Sequence, residues 1–214
     1  MAFRYEKETS SYDRALSFFD AVYGFALTLL VTTIHVTGIS TWQSLGAFLD
    51  SNGNQLLSFA ISFVLIAVFW RKNHELLAQF TALDGVTIWA NICVMSFVAF
   101  LPFTTRANGD PQLQHLPLPT AIYAFNVAAA IIASIVMYQI ALKRGLVDNV
   151  LRGRARWAQL IDSLTTPLVF LLSIPVAYLA VSMTGTAVGA KLFWLVLFVI
   201  RPITGRWAER EKGA

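Results

Sequence analysis

Asp20 sits in a stretch that is otherwise almost wholly apolar, Phe18-Phe19 before it and Ala21 through Val31 after it. A carboxylate in such a segment costs several kcal/mol in hydrocarbon unless it meets water or a partner. Arg14 precedes it by six residues, almost two helical turns and on another azimuth, so each charge looks to another segment. Trp70 and His74, four apart, share a helix face and carry ring N–H groups suited to Asp20. The plainer reading leaves Asp20 solvated near the headgroups and His74 on the surface beside Arg71 and Lys72.

Further along the same segment, Thr28, Thr32 and His35 fall at i, i+4 and i+7, with Phe25 and Leu29 adjoining them one turn apart. Threonines in spanning helices commonly bond the carbonyl one turn back and need no further role. Four copies of this stripe around an axis would instead line a narrow pore. Phe25 or Leu29 would form a hydrophobic constriction, and threonine hydroxyls would offer oxygen to a partly dehydrated cation. The spacing alone leaves both readings open.

Other chemistry is poorly provided for. The single cysteine, Cys93, excludes an intramolecular disulfide framework and a cysteine-based zinc site. His35, His74 and His115 are scattered, so a histidine metal cluster is not expected. No Gly-rich phosphate loop, His-Glu metal motif or Gly-x-Ser-x-Gly elbow is present. An enzyme is therefore not expected. Asn91, Asn126 and Gln139 read as interhelical hydrogen-bonding groups, and Asp162 with Ser163 as an interfacial helix start. Arg152, Arg154 and Arg156 read as an anchor for anionic lipid rather than a nucleic-acid site.

The elements that must carry these residues follow from composition. Of 214 residues, 57% are hydrophobic and only 13% charged, against about 45–50% and about 25% in soluble domains. An apolar excess of this size needs a bilayer. A spanning helix takes about 20 mainly apolar residues, and six segments qualify: 15–37, 54–70, 85–104, 117–142, 160–182 and 188–204. The polar start does not resemble a cleavable signal peptide, and the apolar runs are too continuous for barrel strands.

Positive charge tests the count. Assigning alternate connections to one side puts 14 of the 16 Lys and Arg residues there, leaving Arg106 and Lys191 opposite. That bias predicts six spans with both termini cytoplasmic. Trp42, Trp157 and Trp207 lie near expected boundaries, where indoles anchor at headgroups. Pro102 is expected to end or kink the third span, and Pro167 and Pro175 to bend the fifth. No linker divides the chain, so residues 1–214 read as one all-α integral membrane domain in the cell membrane.

The run Arg14-x-x-x-Phe18-Phe19-Asp20, followed by Ala-Val-Tyr-Gly-Phe-Ala-Leu-Thr-Leu-Leu-Val, resembles the signature of the transmembrane protein 175 family. In that family the first helix carries Arg-x-x-x-Phe-Ser-Asp and a later Thr-Leu-Leu-Val. Ser58-Phe59 through Phe69-Trp70 and His74, and then Leu101-Pro102-Phe103, are also similar. The resemblance covers about the first half of the chain and the six-span count, and it suits a prokaryotic member with one six-helix unit per chain.

The resemblance implies a potassium-selective cation channel of the plasma membrane, a homotetramer whose first helices line a central pore. No Thr-Val-Gly-Tyr-Gly filter occurs in the chain, as expected for that family. The implied pore residues are Phe25, Thr28, Leu29 and Thr32, with His35 at the outer mouth. Arg14, Asp20, Trp70 and His74 are the implied structural network at the cytoplasmic end. Potassium is the implied permeant ion, with no cofactor. The expected partners are membrane lipid and further copies of the chain, with no nucleic acid or soluble protein. Two residues depart from the pattern: Phe19 stands where the family has serine, with Ser17 a candidate substitute, and Phe25 where it has isoleucine or leucine. A proton-coupled secondary transporter is the alternative. It would want a titratable group near the midplane and inverted repeats, whereas Asp20 is close to an edge.

Overall fold

The computed structural model describes residues 4–36, 38–148, 150–151 and 153–212. Thr37, the expected end of the first span, and Arg152, one of the expected basic anchors, lie outside the described residues. Among those described, six helical segments are long and apolar enough to cross a membrane: Ser10–Thr33, Leu45–Leu77, Gly85–Gly109, Pro117–Lys143, Gly153–Thr184 and Val188–Glu211. The chain is a multi-pass membrane protein.

The first segment is α1 (Ser10–Leu29), closed by a 3-10 turn over Leu30–Thr33. Next come α2 (Leu45–Leu77), α3 (Gly85–Gly109), α4 (Pro117–Lys143) and α5 (Gly153–Thr184). The sixth span is composite: α6 (Val188–Phe193), a 3-10 turn and α7 (Leu197–Lys212). Starts are set by local chemistry. The Thr9 and Ser44 hydroxyls accept from Tyr12 N and Ala47 N, and Asp84 with Thr87 forms a reciprocal capping box. Gly185, at φ +75, follows the end of α5 and donates its N–H to Val181 O at 2.9 Å, a backbone angle that favours glycine.

α2 is much longer than the expected 54–70. At its start Asp50-Ser-Asn-Gly-Asn54 is polar but still helical, with Asn52 bonded back to Phe48 O. At its end Glu75 pairs with Arg71 at 3.4 Å and Lys72 at 3.0 Å, carrying the helix beyond the apolar run. Apolar length marks where hydrocarbon ends, not where a helix must. Pro102, Pro167 and Pro175 all lie inside their helices, so Pro102 does not end α3.

α3 packs on α4, α4 on α5, and α5 on α7, while α1 leans on α3 and α2. α4 is the hub because its inward residues are small: Ala121, Ala124, Val127, Ala128 and Ala130 are buried, which lets backbones approach closely. α2 and α3 approach closely at Gly109, where a Cβ would stand 3.2 Å from Ser58 Cβ and 3.3 Å from Gln55 Cα. Asn91 Oδ1 accepts from Asn73 Nδ2 at 2.8 Å, Asn126 Nδ2 donates to Phe97 O, and Gln139 Oε1 accepts from Arg156. These are interhelical or near-interfacial bonds of the kind expected. Asp162 is different: inside α5, it takes Arg201 on Oδ2 at 3.1 Å and Thr204 on Oδ1 at 2.6 Å. It clamps α5 to α7 instead of starting a helix.

One end of the bundle carries a small layer that the all-α reading lacked. β1 (Arg4–Glu6) pairs antiparallel with β2 (Ala82–Asp84). Phe80 bridges Val147, and Thr81 N donates to Leu146 O at 2.9 Å. The N-terminal segment, the α2–α3 connection and the α4–α5 connection therefore meet at the same end. Tyr12, Phe19, Leu77, Phe80, Leu83, Met95 and Met137 form a core beneath them.

Candidate channel face and its supporting network

α1 is two-faced. Tyr12, Phe19, Tyr23, Ala26 and Leu30 are buried against the bundle. Arg14, Phe18, Ala21, Phe25, Thr28 and Thr32 are exposed and follow one another at steps of four and three. A repeat averaging 3.5 residues keeps one seam of a helix facing a common axis or partner. Phe25 is 71% exposed and Leu29 50%, although both lie within a spanning segment. Thr28 Oγ1 donates to Phe25 O at 2.9 Å, and Thr32 Oγ1 to Leu29 O at 2.7 Å. Each hydroxyl spends its proton on its own helix and keeps its lone pairs outward, so the seam presents acceptors rather than donors.

His35 follows the 3-10 turn with its side chain exposed. Its backbone is clamped from α2: His35 N donates to Gln55 Oε1 at 2.7 Å, and Gln55 Nε2 donates to His35 O at 3.3 Å. Sequence reading missed Gln55. Its only signal is that it is a polar residue in the first turns of an apolar run.

At the strand-bearing end, Trp70 Nε1 donates to Asp20 Oδ1 at 2.9 Å, tying α2 to α1. His74 does not reach the carboxylate. Its ring lies beside the Trp70 indole, centroids 6.0 Å apart and planes at 34°, so it supports the donor rather than being one. Arg14 makes no hydrogen bond or ion pair among the described residues. With Phe18, Ile88 and Ile92 it lines an open groove of about 420 Å³ between α1 and α3. The expected four-residue network is thus a pair, a stacked neighbour and a separate arginine. Phe19 occupies the core position beside Tyr12 and Leu77, which accounts for an apolar residue at that point. Ser17 bonds Asp13 O on its own helix and does not substitute in the network.

At the opposite end lies a second polar group that sequence reading left among the stray charges. Lys191 is 6% exposed, and its Nζ donates to Asn54 Oδ1 at 2.8 Å and Asn108 O at 2.7 Å. Asn54 Nδ2 in turn donates to Gly109 O, and Thr120 Oγ1 to Asn108 Oδ1. α6 is thereby fastened to α2, α3 and α4 by an ammonium held on neutral oxygens. Among the described residues no three His, Cys, Asp or Glu side chains converge as metal ligands.

The family described as "Endosomal/lysosomal potassium channel TMEM175" matches residues 14–102, the stretch that holds Asp20, the seam of α1 and Trp70. A potassium channel of Chryseobacterium sp. is 23% identical over 130 residues, covering 61% of this chain and 65% of that protein. Another of Chamaesiphon minutus is 30% identical over 130 residues, covering 60% and 62%. A third of Streptomyces collinus is 28% identical over 133 residues, covering 60% and 59%. The chain thus matches less than two thirds of the length of each. A crystal structure of a variant of the potassium channel MtTMEM175, bound to a nanobody fusion, shares the fold. Its TM-score is 0.56 at 18% identity, over 98% of this chain and 96% of that one. The local match covers the first three helices and the shared fold nearly all six spans, so the chain is similar to TMEM175 channels in sequence over its first half and in fold along its length.

Proposed function

We propose that this chain is the subunit of a potassium-selective cation channel in the cell membrane, assembled as a homotetramer with α1 lining a central pore. The observation that carries the reading is the seam of α1. Aromatic and hydroxyl side chains within the span stand exposed on one 3.5-residue repeat, with exposed Leu29 adjoining it, while the opposite face of the helix is buried. Lipid would cover such a face if it were purely apolar, but Thr28 and Thr32 turn acceptor oxygens along it. Around an axis, Phe25 and Leu29 form the narrow apolar level, and Thr28 and Thr32 supply oxygen to a partly dehydrated ion. The potassium channels among its relatives support the choice of ion.

The strand-bearing end faces the cytoplasm in this reading, because the basic residues gather there. His35 then stands at the outer mouth. Arg14, Asp20, Trp70 and His74 hold the inner end of α1, and no resident cofactor is required. The test is potassium flux into proteoliposomes down a potassium gradient, with sodium as the comparison ion. Potassium-preferring uptake that needs no proton gradient is expected. Uptake that follows an imposed proton gradient would replace the channel by proton-coupled transport, and no flux of either ion would overturn conduction.

A further inference from the structure

A cavity of about 360 Å³ opens at the strand-bearing end, lined by Arg4, Asp84, Lys143, Arg144 and Leu146. Its walls come from three separate parts of the chain. Arg4 stands on β1, directly opposite Asp84 on β2 in the strand register, and Lys143 and Arg144 end α4. Three cations and one carboxylate therefore share a space the size of a small headgroup, at the level where the apolar helices stop.

The single carboxylate is occupied inward. Asp84 Oδ1 accepts from Thr87 N at 2.8 Å and from Thr87 Oγ1 at 2.9 Å, while Oδ2 accepts from Arg144 Nε. Arg144 is bound there by Nε, and Arg4 likewise meets Glu6 through Nε, at 2.8 Å. Engagement at Nε orients a guanidinium and leaves its terminal amino groups to reach another acceptor. Lys143 has no hydrogen bond or ion pair among the described residues. The site thus holds two oriented guanidiniums and one ammonium unpaired among the described residues, over the apolar floor of Leu146. Guanidinium forks fit phosphate oxygens in pairs, and a neighbouring lysine adds a point charge.

We infer that Arg4, Lys143 and Arg144 form a binding site for a phosphate group, carried on an anionic lipid headgroup or on a soluble molecule. Occupancy would bridge the N-terminal segment to the end of α4 and tighten the layer that sits under α1. The site stands apart from the seam of α1, so its ligand would be a partner of the fold and not the permeating ion. The inference does not depend on conduction.

The experiment uses the full chain in detergent micelles. Native mass spectrometry measures retention of phosphatidic acid against phosphatidylcholine. Thermal unfolding is followed in inorganic phosphate against chloride at equal ionic strength. Lys143→Gln is the main variant, because Lys143 has no partner to lose among the described residues; Arg4→Gln is the second, and Arg210→Gln, exposed and outside the cavity, is the control. A basic residue beside an anionic surface contributes about a fivefold factor in binding. Preference for phosphatidic acid that drops about fivefold in Lys143→Gln and Arg4→Gln but not in Arg210→Gln supports the site with a lipid as its source. A phosphate-dependent rise in unfolding temperature, lost in Lys143→Gln and without lipid preference, supports it with a soluble source. Absence of both effects, or equal losses in Arg210→Gln, overturns it.

Discussion

Trp70 Nε1 and Asp20 Oδ1 are 2.9 Å apart, and with the bond from Tyr12 Oη to Leu77 O at 3.1 Å this contact joins the second helix to the first at the strand-bearing end. Both Trp70 and Asp20 are substantially exposed in the single chain, so their bond holds the edge of α1 rather than a buried core. A charge-assisted bond is worth about 1.5–3 kcal/mol when shielded and less at an exposed site. Trp70→Phe keeps the ring beside His74 and deletes only the donor. It is expected to lower the unfolding free energy by about 1 kcal/mol and to reduce the yield of assembled channel. Asp20→Asn and Arg14→Ala should likewise lower assembly before they change ion preference. Size-exclusion profiles beside reversal potentials read both, and normal assembly with altered preference would contradict the structural role.

The seam of α1 gives a second expectation. Phe25 is the bulkiest residue on it between Ala21 and Thr32. Phe25→Ala should raise single-channel conductance severalfold by opening the apolar level, and a variant with unchanged current would move the constriction to Leu29. Thr28→Ala removes one acceptor oxygen per chain and should weaken the preference for potassium over sodium. The reversal potential under mixed ions reads this directly, and an unshifted value would take Thr28 out of ion selection.

How much of this could be read from the sequence follows from the range of each interaction. The six spans and the roles of Asn91 and Asn126 come from hydropathy and from single polar groups in apolar runs, which are local signals. The pairing of Trp70 with Asp20 was legible because an ionised group in a spanning helix needs a donor and few donors stood at the same level. His74 shares Trp70's face, yet the indole takes the carboxylate and leaves the imidazole stacked. Lys191 is separated from Asn54 by 137 residues, and Asp162 from Thr204 by 42. Nothing in the local pattern says which helices lie side by side. β1 is three residues of mixed polarity, too short to show any period.

Lys191 yields a third prediction because its charge is buried with no carboxylate paired to it among the described residues. A buried ammonium held on neutral oxygens is costly, and removing an acceptor is worse than removing the whole arrangement. Asn54→Leu should destabilise the protein by about 3 kcal/mol, since it strands the ammonium and the Gly109 carbonyl together. Adding Lys191→Met to that variant should recover much of the loss. Thermal unfolding of the two single variants and the double variant checks this, and simple additivity would mean that the two residues do not act as a pair.

The last prediction concerns acid. Burial alone pushes the Asp84 carboxyl up, but the Thr87 backbone and hydroxyl and the Arg144 guanidinium outweigh it and hold it below the ordinary value of 3.8. A carboxylate whose folded value is depressed binds fewer protons in the folded state than in the unfolded one. Its stabilisation is therefore present in full above the unfolded value and disappears as pH falls through the folded one. Asp84 also caps α3 and closes the wall between β2 and α4, so its protonation loosens both at once. Stability should decline as pH drops below about 4, and Asp84→Asn should flatten that part of the curve. Asp84→Ala at neutral pH should cost about 2 kcal/mol, one part from the cap and one from the half-exposed ion pair. Unfolding curves of wild type and both variants between neutral and acid pH test the assignment, and an unchanged acid slope in Asp84→Asn would place the sensitivity on another carboxylate.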